Sequence, residues 1–114
     1  MFTTLDTTIL YVADIEKAKD FYTNLLGLII EFDDEVFISL KANNDDKTKI
    51  ALNAEHKEGQ YPGHQTIILR TDNVDKVYSQ LKDKVHIVFK LSNQPWGRTF
   101  IFADPDGNKI EVVQ

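Results

Sequence analysis

Cysteine is absent from all 114 residues. Disulfides, thiolate nucleophiles and thiolate metal sites are therefore excluded together. Long apolar runs are absent as well, and nothing approaches the roughly 20 residues of a membrane span. Residues 1–12 lack the basic start and apolar core of a secretion signal. The expectation is a cytoplasmic protein with no membrane partner. Basic charge is in short supply: 13 Lys and Arg stand against 18 Asp and Glu, a net charge of -5. Cations are scattered among the anions, so a nucleic-acid partner is not expected. Tryptophan occurs once, at Trp96, inside a Pro-Trp-Gly segment. No glycine-rich phosphate loop is present, and no Ser–His–Asp arrangement is visible in the spacing. What the chain does have is enough apolar content, 42%, to bury a modest core in one domain.

It also has a repeat. Asp14-Ile15-Glu16-Lys17 lies over Asn73-Val74-Asp75-Lys76 at an offset of 59 residues, about half the length. Each copy follows a short apolar strand and precedes several more. A repeat of this period is a duplicated supersecondary unit. In the first copy residues 5–12 read as a strand. Asp14 suits a helix N-cap, and Ile15, Ala18, Phe21, Tyr22, Leu25 and Leu26 recur at helical spacing. Gly27 suits the helix stop. Strands follow over 28–32, 35–41 and 48–54, with a turn at Asp33-Asp34. Residues 55–63 show no periodicity and carry Gly59, Pro62 and Gly63, so they read as a linker.

The second copy runs in the same order. A strand over 65–70 leads to a helix capped by Asp72 or Asn73, with Val74, Val77, Tyr78 and Leu81 on one face. A strand over 85–91, a loop over 92–98, and strands over 99–103 and 109–113 complete it. Asp104-Pro105-Asp106-Gly107 fits a type I turn. The fold class expected is α+β: two βαβββ modules, about 1–55 and 65–114, in a single domain.

Strand parity gives each sheet one aliphatic and one mixed face. Leu10 and Val12 oppose Ile9 and Tyr11; Ile67 and Leu69 oppose Thr66, Ile68 and Arg70; Ile110 and Val112 oppose Lys109, Glu111 and Val113. The aliphatic faces are assigned to the helices. The mixed faces either meet solvent or enclose a small-molecule cavity.

The segment from Val12 to Gly27 resembles the opening of the vicinal oxygen chelate superfamily, which includes glyoxalase I, extradiol dioxygenases, and fosfomycin- and bleomycin-resistance proteins. Pro95-Trp96-Gly97-Arg98, followed by Phe102-Ala103-Asp104-Pro105-Asp106-Gly107-Asn108-Lys109-Ile110-Glu111, resembles its closing segment, most of all in the bleomycin-resistance branch. The resemblance implies a cup-shaped mixed sheet with helices outside, often completed in a homodimer. It also implies a divalent-metal site in the enzymes, with ligands from the first and last strands of each module. Those positions fall here on Thr7, Ala51, Thr66 and Glu111. Two hydroxyls, a methyl and one carboxylate suit zinc, nickel or iron poorly, so no metal and no other cofactor is expected. His64 would share the Thr66 face if that strand reached it; His56 and His86 lie elsewhere.

Without a metal, Glu111 would serve as a general base or hydrogen-bond acceptor in the cavity, or be a surface relic paired with Lys109 or Arg70. Candidate ligand contacts on the faces are Thr7, Phe37, Ala51 and Asn53 in the first module. In the second they are Thr66, Ile68, Phe102 and Glu111, together with Trp96 and Arg98 from the Pro-Trp-Gly segment. Aromatic walls stack on flat compounds, and Arg98 would add a cationic contact. Phe100 and Phe102 share a strand face, and at least one of them is expected in the core. Three readings follow: a protein that sequesters a small, partly aromatic compound; a glyoxalase-like lyase, isomerase or dioxygenase working through Glu111 with or without a divalent metal; or a dimerising module without a ligand.

Overall fold

The repeat in the sequence is a repeat in the fold. The structure, a computed structural model, describes residues 1–114 and divides into two compact units, Met1–Pro62 and Gly63–Gln114. The first holds β1 (Thr7–Tyr11), α1 (Ile15–Asp20), a π-helical turn (Phe21–Leu25), β2 (Ile29–Asp33), β3 (Phe37–Lys41) and β4 (Lys49–Asn53). The second holds β5 (Thr66–Arg70), α2 (Val74–Leu81), β6 (His86–Gln94), β7 (Gly97–Ala103) and β8 (Lys109–Val113). The sheets have orders β1-β4-β3-β2 and β5-β8-β7-β6, so each is the same mixed α+β module. In each the first strand pairs parallel with the last, and the remaining pairs are antiparallel.

Both helices start at the same point of the repeat. Asp14 Oδ1 accepts from the Lys17 backbone N–H, and Asn73 Oδ1 accepts from that of Lys76, each at 3.1 Å. Each cap satisfies one of the backbone donors a helix start leaves unpaired. The helices cover the aliphatic faces. Leu10, Ile38, Leu40 and Leu52 are fully buried in the first unit with Ala18 and Tyr22. In the second unit Ile67, Phe100, Phe102, Ile110 and Val112 are buried with Val74 and Leu81. Burial of each such side chain is worth about 1.5–3 kcal/mol. Tyr78 of α2 meets Phe100 edge-on, with ring centroids 5.0 Å apart.

Two expectations are corrected. Residues 92–98 are not a loop: β6 runs on to Gln94 and β7 starts at Gly97, with Gln94, Asn93 and Ser92 paired to Gly97, Arg98 and Thr99. Pro95 and Trp96 alone make the turn, and the chain is released by Gly97, whose φ of 145° lies in the region favouring glycine. A Cβ there would sit 2.6 Å from the Gln114 carbonyl oxygen. Second, β5 begins at Thr66, so His64 lies outside the strand and gains no shared face with Thr66.

The expected turn at Asp104–Gly107 is present, with the Gly107 N–H donating to the Asp104 carbonyl at 3.0 Å. It is tied inward: Asp104 Oδ1 accepts from the Asp106 and Asn108 N–H groups, and the fully buried Asn108 side chain bridges Asp104 Oδ2 and the Gln65 N–H. This turn fixes where β8, and with it Glu111, begins.

Candidate site on the open face of the second sheet

The face of the second sheet away from α2 is set by register. Ile68 of β5 and Ile101 of β7 flank Glu111 of β8. Directly paired residues share a face, so these three stand together, with Thr99 and Val113 alongside. β6 joins through two irregularities. Ile87 pairs with Phe102, but Phe89 pairs with Ile101 and Ser92 with Thr99. By simple alternation Phe89 would follow Ile87 to the helix side. The extra residue between them turns it to the Glu111 side, and a second extra residue keeps Ser92 there. A bulge re-aims side chains in this way.

Glu111 is held from one side. The Trp96 indole N–H donates to Oε2 at 2.8 Å. The Thr99 hydroxyl lies 2.9 Å from the same oxygen and 2.8 Å from the Val112 carbonyl, so its single proton serves one of them at a time. The pairing of Glu111 with Lys109 or Arg70 is not formed; Lys109 Nζ instead donates to the Gly107 carbonyl at 2.5 Å. Around the carboxylate opens a pocket of about 310 Å³, walled by Phe89, Trp96 and Ile101 with Lys90, Ser92, Gln94 and Thr99 at its polar edges. Its volume is at the lower end of small-molecule sites. Phe89 is 64% exposed, Trp96 63% and Ile68 62%, so the face carries apolar surface that the unit itself does not cover.

Of the expected contacts, Trp96 and Glu111 are brought together, and Ile68 stands beside Glu111 in register. Thr66 lies at the start of the same face, paired with Lys109. Phe102 and Arg98 are corrected. Phe102 is 1% exposed and stacks on Phe100 at 5.8 Å in the helix-side core. Phe102 pairs with Ile110 and not with Glu111, so parity puts it on the opposite face. Arg98 turns to α2, where its Nε and Nη2 grip the Asp75 carboxylate at 2.9–3.3 Å, and its Nη1 donates to Asn93 Oδ1 at 3.1 Å. It is a clamp between helix and hairpin. The guanidinium in turn holds the Asp75 carboxyl below the usual range. Thr99, Phe89, Lys90, Ser92 and Gln94 were not anticipated. Thr99 was within reach, because a type I turn at 104–107 pairs Ile101 with Glu111 and so puts the odd-numbered β7 residues on its face.

In the first unit Thr7, Phe37, Ala51 and Asn53 lie on the face away from α1. Ala51 is fully buried between Ile9 and Ser39, and the Thr7 hydroxyl donates to Asp6 Oδ1 at 2.5 Å. Asn53 joins Ile9, Tyr11, His56, Lys57 and Gln60 around an open depression of about 620 Å³. There the His56 ring meets Tyr11 edge-on at 5.9 Å, with its Nε2 2.8 Å from the Val12 carbonyl oxygen. The same face carries a charge cluster. Glu31 lies 3.1 Å from Lys41 and 3.5 Å from Lys49, and Asp6 lies 3.4 Å from Lys49. The Lys41 hydrogen bond lowers the Glu31 pKa, and the two neighbouring carboxylates raise that of Lys49.

The residues at the superfamily's metal-ligand positions do not fit a divalent metal. Ala51 has no donor atom and is sealed, the Thr7 hydroxyl is engaged, and Glu111 is a single carboxylate where zinc, nickel or iron want imidazole or several carboxylates. Within neither unit do three His, Asp or Glu side chains converge.

Comparison with known proteins places this geometry in context. Residues 4–112 match the family model of the Glyoxalase/Bleomycin resistance protein/Dioxygenase superfamily. The chain is 27% identical over 111 residues to the phenazine antibiotic resistance protein EhpR of Enterobacter agglomerans, covering 91% of this chain and 86% of that one. It superposes with a TM-score of 0.89 on TnmS3, an antibiotic binding protein from Streptomyces sp. CB03234, at 31% identity over 99% of this chain and 96% of that one. A member of the same superfamily from Sphaerobacter thermophilus gives a TM-score of 0.83 at 30% identity, over 98% and 97% of the two chains.

Proposed function

The chain belongs to the Glyoxalase/Bleomycin resistance protein/Dioxygenase superfamily, and on that premise we propose that it binds a small, partly aromatic compound without a catalytic metal. The observation that carries this reading is the Trp96–Glu111 pair. The one carboxylate left at the metal-ligand positions is hydrogen-bonded by an indole, at the edge of a pocket walled by Phe89, Trp96 and Ile101. An aromatic wall with a few convergent polar groups is the makeup of a small-molecule site, and flat rings gain most from aromatic neighbours. The antibiotic-resistance and antibiotic-binding relatives support a role in sequestering such a compound. The compound's identity is a separate matter from the binding.

A second reading rests on Glu111 as a general base, since one of its oxygens is left for a substrate. The two are separated by metal content and turnover. Protein purified without tags or chelators is expected to hold less than about a tenth of an equivalent of zinc, nickel, iron or manganese per chain, and added metal is not expected to bind at Glu111. A stoichiometric metal bound at Glu111, or turnover abolished by Glu111→Gln, would move the enzyme reading to first place.

A further inference from the structure

A carboxylate has two oxygens, and this protein uses one of those on Glu111. Oε2 takes the Trp96 indole N–H and shares the Thr99 hydroxyl with the Val112 carbonyl, whereas no group of this unit donates to Oε1. The side chain is half-buried on the pocket wall. Lys90, the one cation lining the same pocket, is exposed and forms no ion pair with it. An occupant of the pocket strips water from Oε1. If it offers no donor in return, an ionised acceptor is left unsatisfied, which is the costly half of the hydrogen-bond asymmetry. If it offers a donor, the bond formed is charge-assisted and stronger than a neutral one. The Trp96 bond also holds the N–H edge of the indole against the carboxylate. A flat compound lying along the indole therefore carries its own edge to the same carboxylate.

Deepening the binding reading above, and resting on it, we propose that the pocket selects planar aromatic compounds bearing a hydrogen-bond donor on the ring edge, such as an amine, amidine or phenol, with Glu111 Oε1 as the acceptor. Glu111 is then the specificity-determining residue, and the aromatic walls supply affinity shared by all flat ligands.

The test is calorimetric titration of two probes of the same shape at neutral pH: acridine, with no edge donor, and protonated 9-aminoacridine, with several. The wild-type protein is expected to prefer 9-aminoacridine by about tenfold or more. The net charge of -5 favours any cation, so Glu111→Gln isolates the site. Its amide oxygen takes the Trp96 N–H and its NH₂ faces the ligand, so the preference should fall to about threefold or less, with acridine affinity held or raised because no ionised acceptor is left unsatisfied. If the variant folds poorly, repeating the wild-type comparison at about 0.5 M salt, which screens the net charge, keeps the test: a preference that disappears there overturns the donor selection. Equal affinity for both probes, or a preference that survives in Glu111→Gln, overturns the donor selection and leaves the aromatic pocket intact. Failure of both probes to bind overturns the pocket reading and this inference with it.

Discussion

At the scale of single residues, the chemistry turns on what each side chain has left to offer. Glu111 was legible from the sequence because the family's spacing singles it out, and Trp96 because an indole in a Pro-Gly segment has no core strand to join. Their meeting was not legible. It depends on a two-residue turn that carries Trp96 to the hairpin tip and on the hydrogen bond that follows. Arg98 misled for the opposite reason: an arginine beside a tryptophan reads as a ligand contact, yet Asp75, 23 residues earlier in the chain, engages it. Glycine marks a different kind of constraint. Gly63 has φ of 89°, and a Cβ there would lie 2.4 Å from the Asp106 carbonyl oxygen, against the turn that sets the start of β8. Gly63→Ala combines left-handed strain with an overpacked contact, and is expected to cost about 2–4 kcal/mol. Chemical denaturation of the variant checks this, and a loss under about 0.5 kcal/mol would show that the turn yields freely.

At the scale of elements, alternation predicted every strand face of β1, β5 and β8, because those strands are regular and one side of each is buried. It failed for β6. There two inserted residues shift the phase, and an inserted residue leaves no mark on composition or hydrophobicity. Phe89 and Ser92 reached the site through that shift, while Phe102, counted as a contact, went to the core by plain alternation. The hairpin that carries Trp96 is braced against α2 by the Arg98–Asp75 pair. Because the guanidinium lowers the folded-state pKa of Asp75, its contribution to stability is present above the unfolded carboxylate value of about 4. The contribution is lost as pH falls through the lower folded value. Asp75→Asn should therefore melt below the wild type at neutral pH, with the gap closing under acid conditions. Thermal melts of both proteins across pH 2.5–7 check this, and a gap independent of pH would remove the pair from the account.

At the scale of the whole molecule, two copies of one module have diverged in what their open faces carry. The first unit presents the cluster of Glu31, Lys41, Lys49 and Asp6 beside a sealed Ala51. The second presents an apolar pocket around Glu111. The repeat itself was plain in the sequence, since caps and strands recur at a fixed offset. Which copy carries the aromatic pocket became plain only once the residues were placed in register. The central claim, a metal-independent aromatic pocket at Trp96, is tested most directly by the indole N–H resonance of this single tryptophan. It would be followed by two-dimensional ¹⁵N–¹H NMR as acridine is added in the presence of a chelator. The account predicts a saturable shift of that one signal with no metal required. A signal that stays in place up to the solubility of the probe, or moves only after a divalent metal is restored, would contradict it.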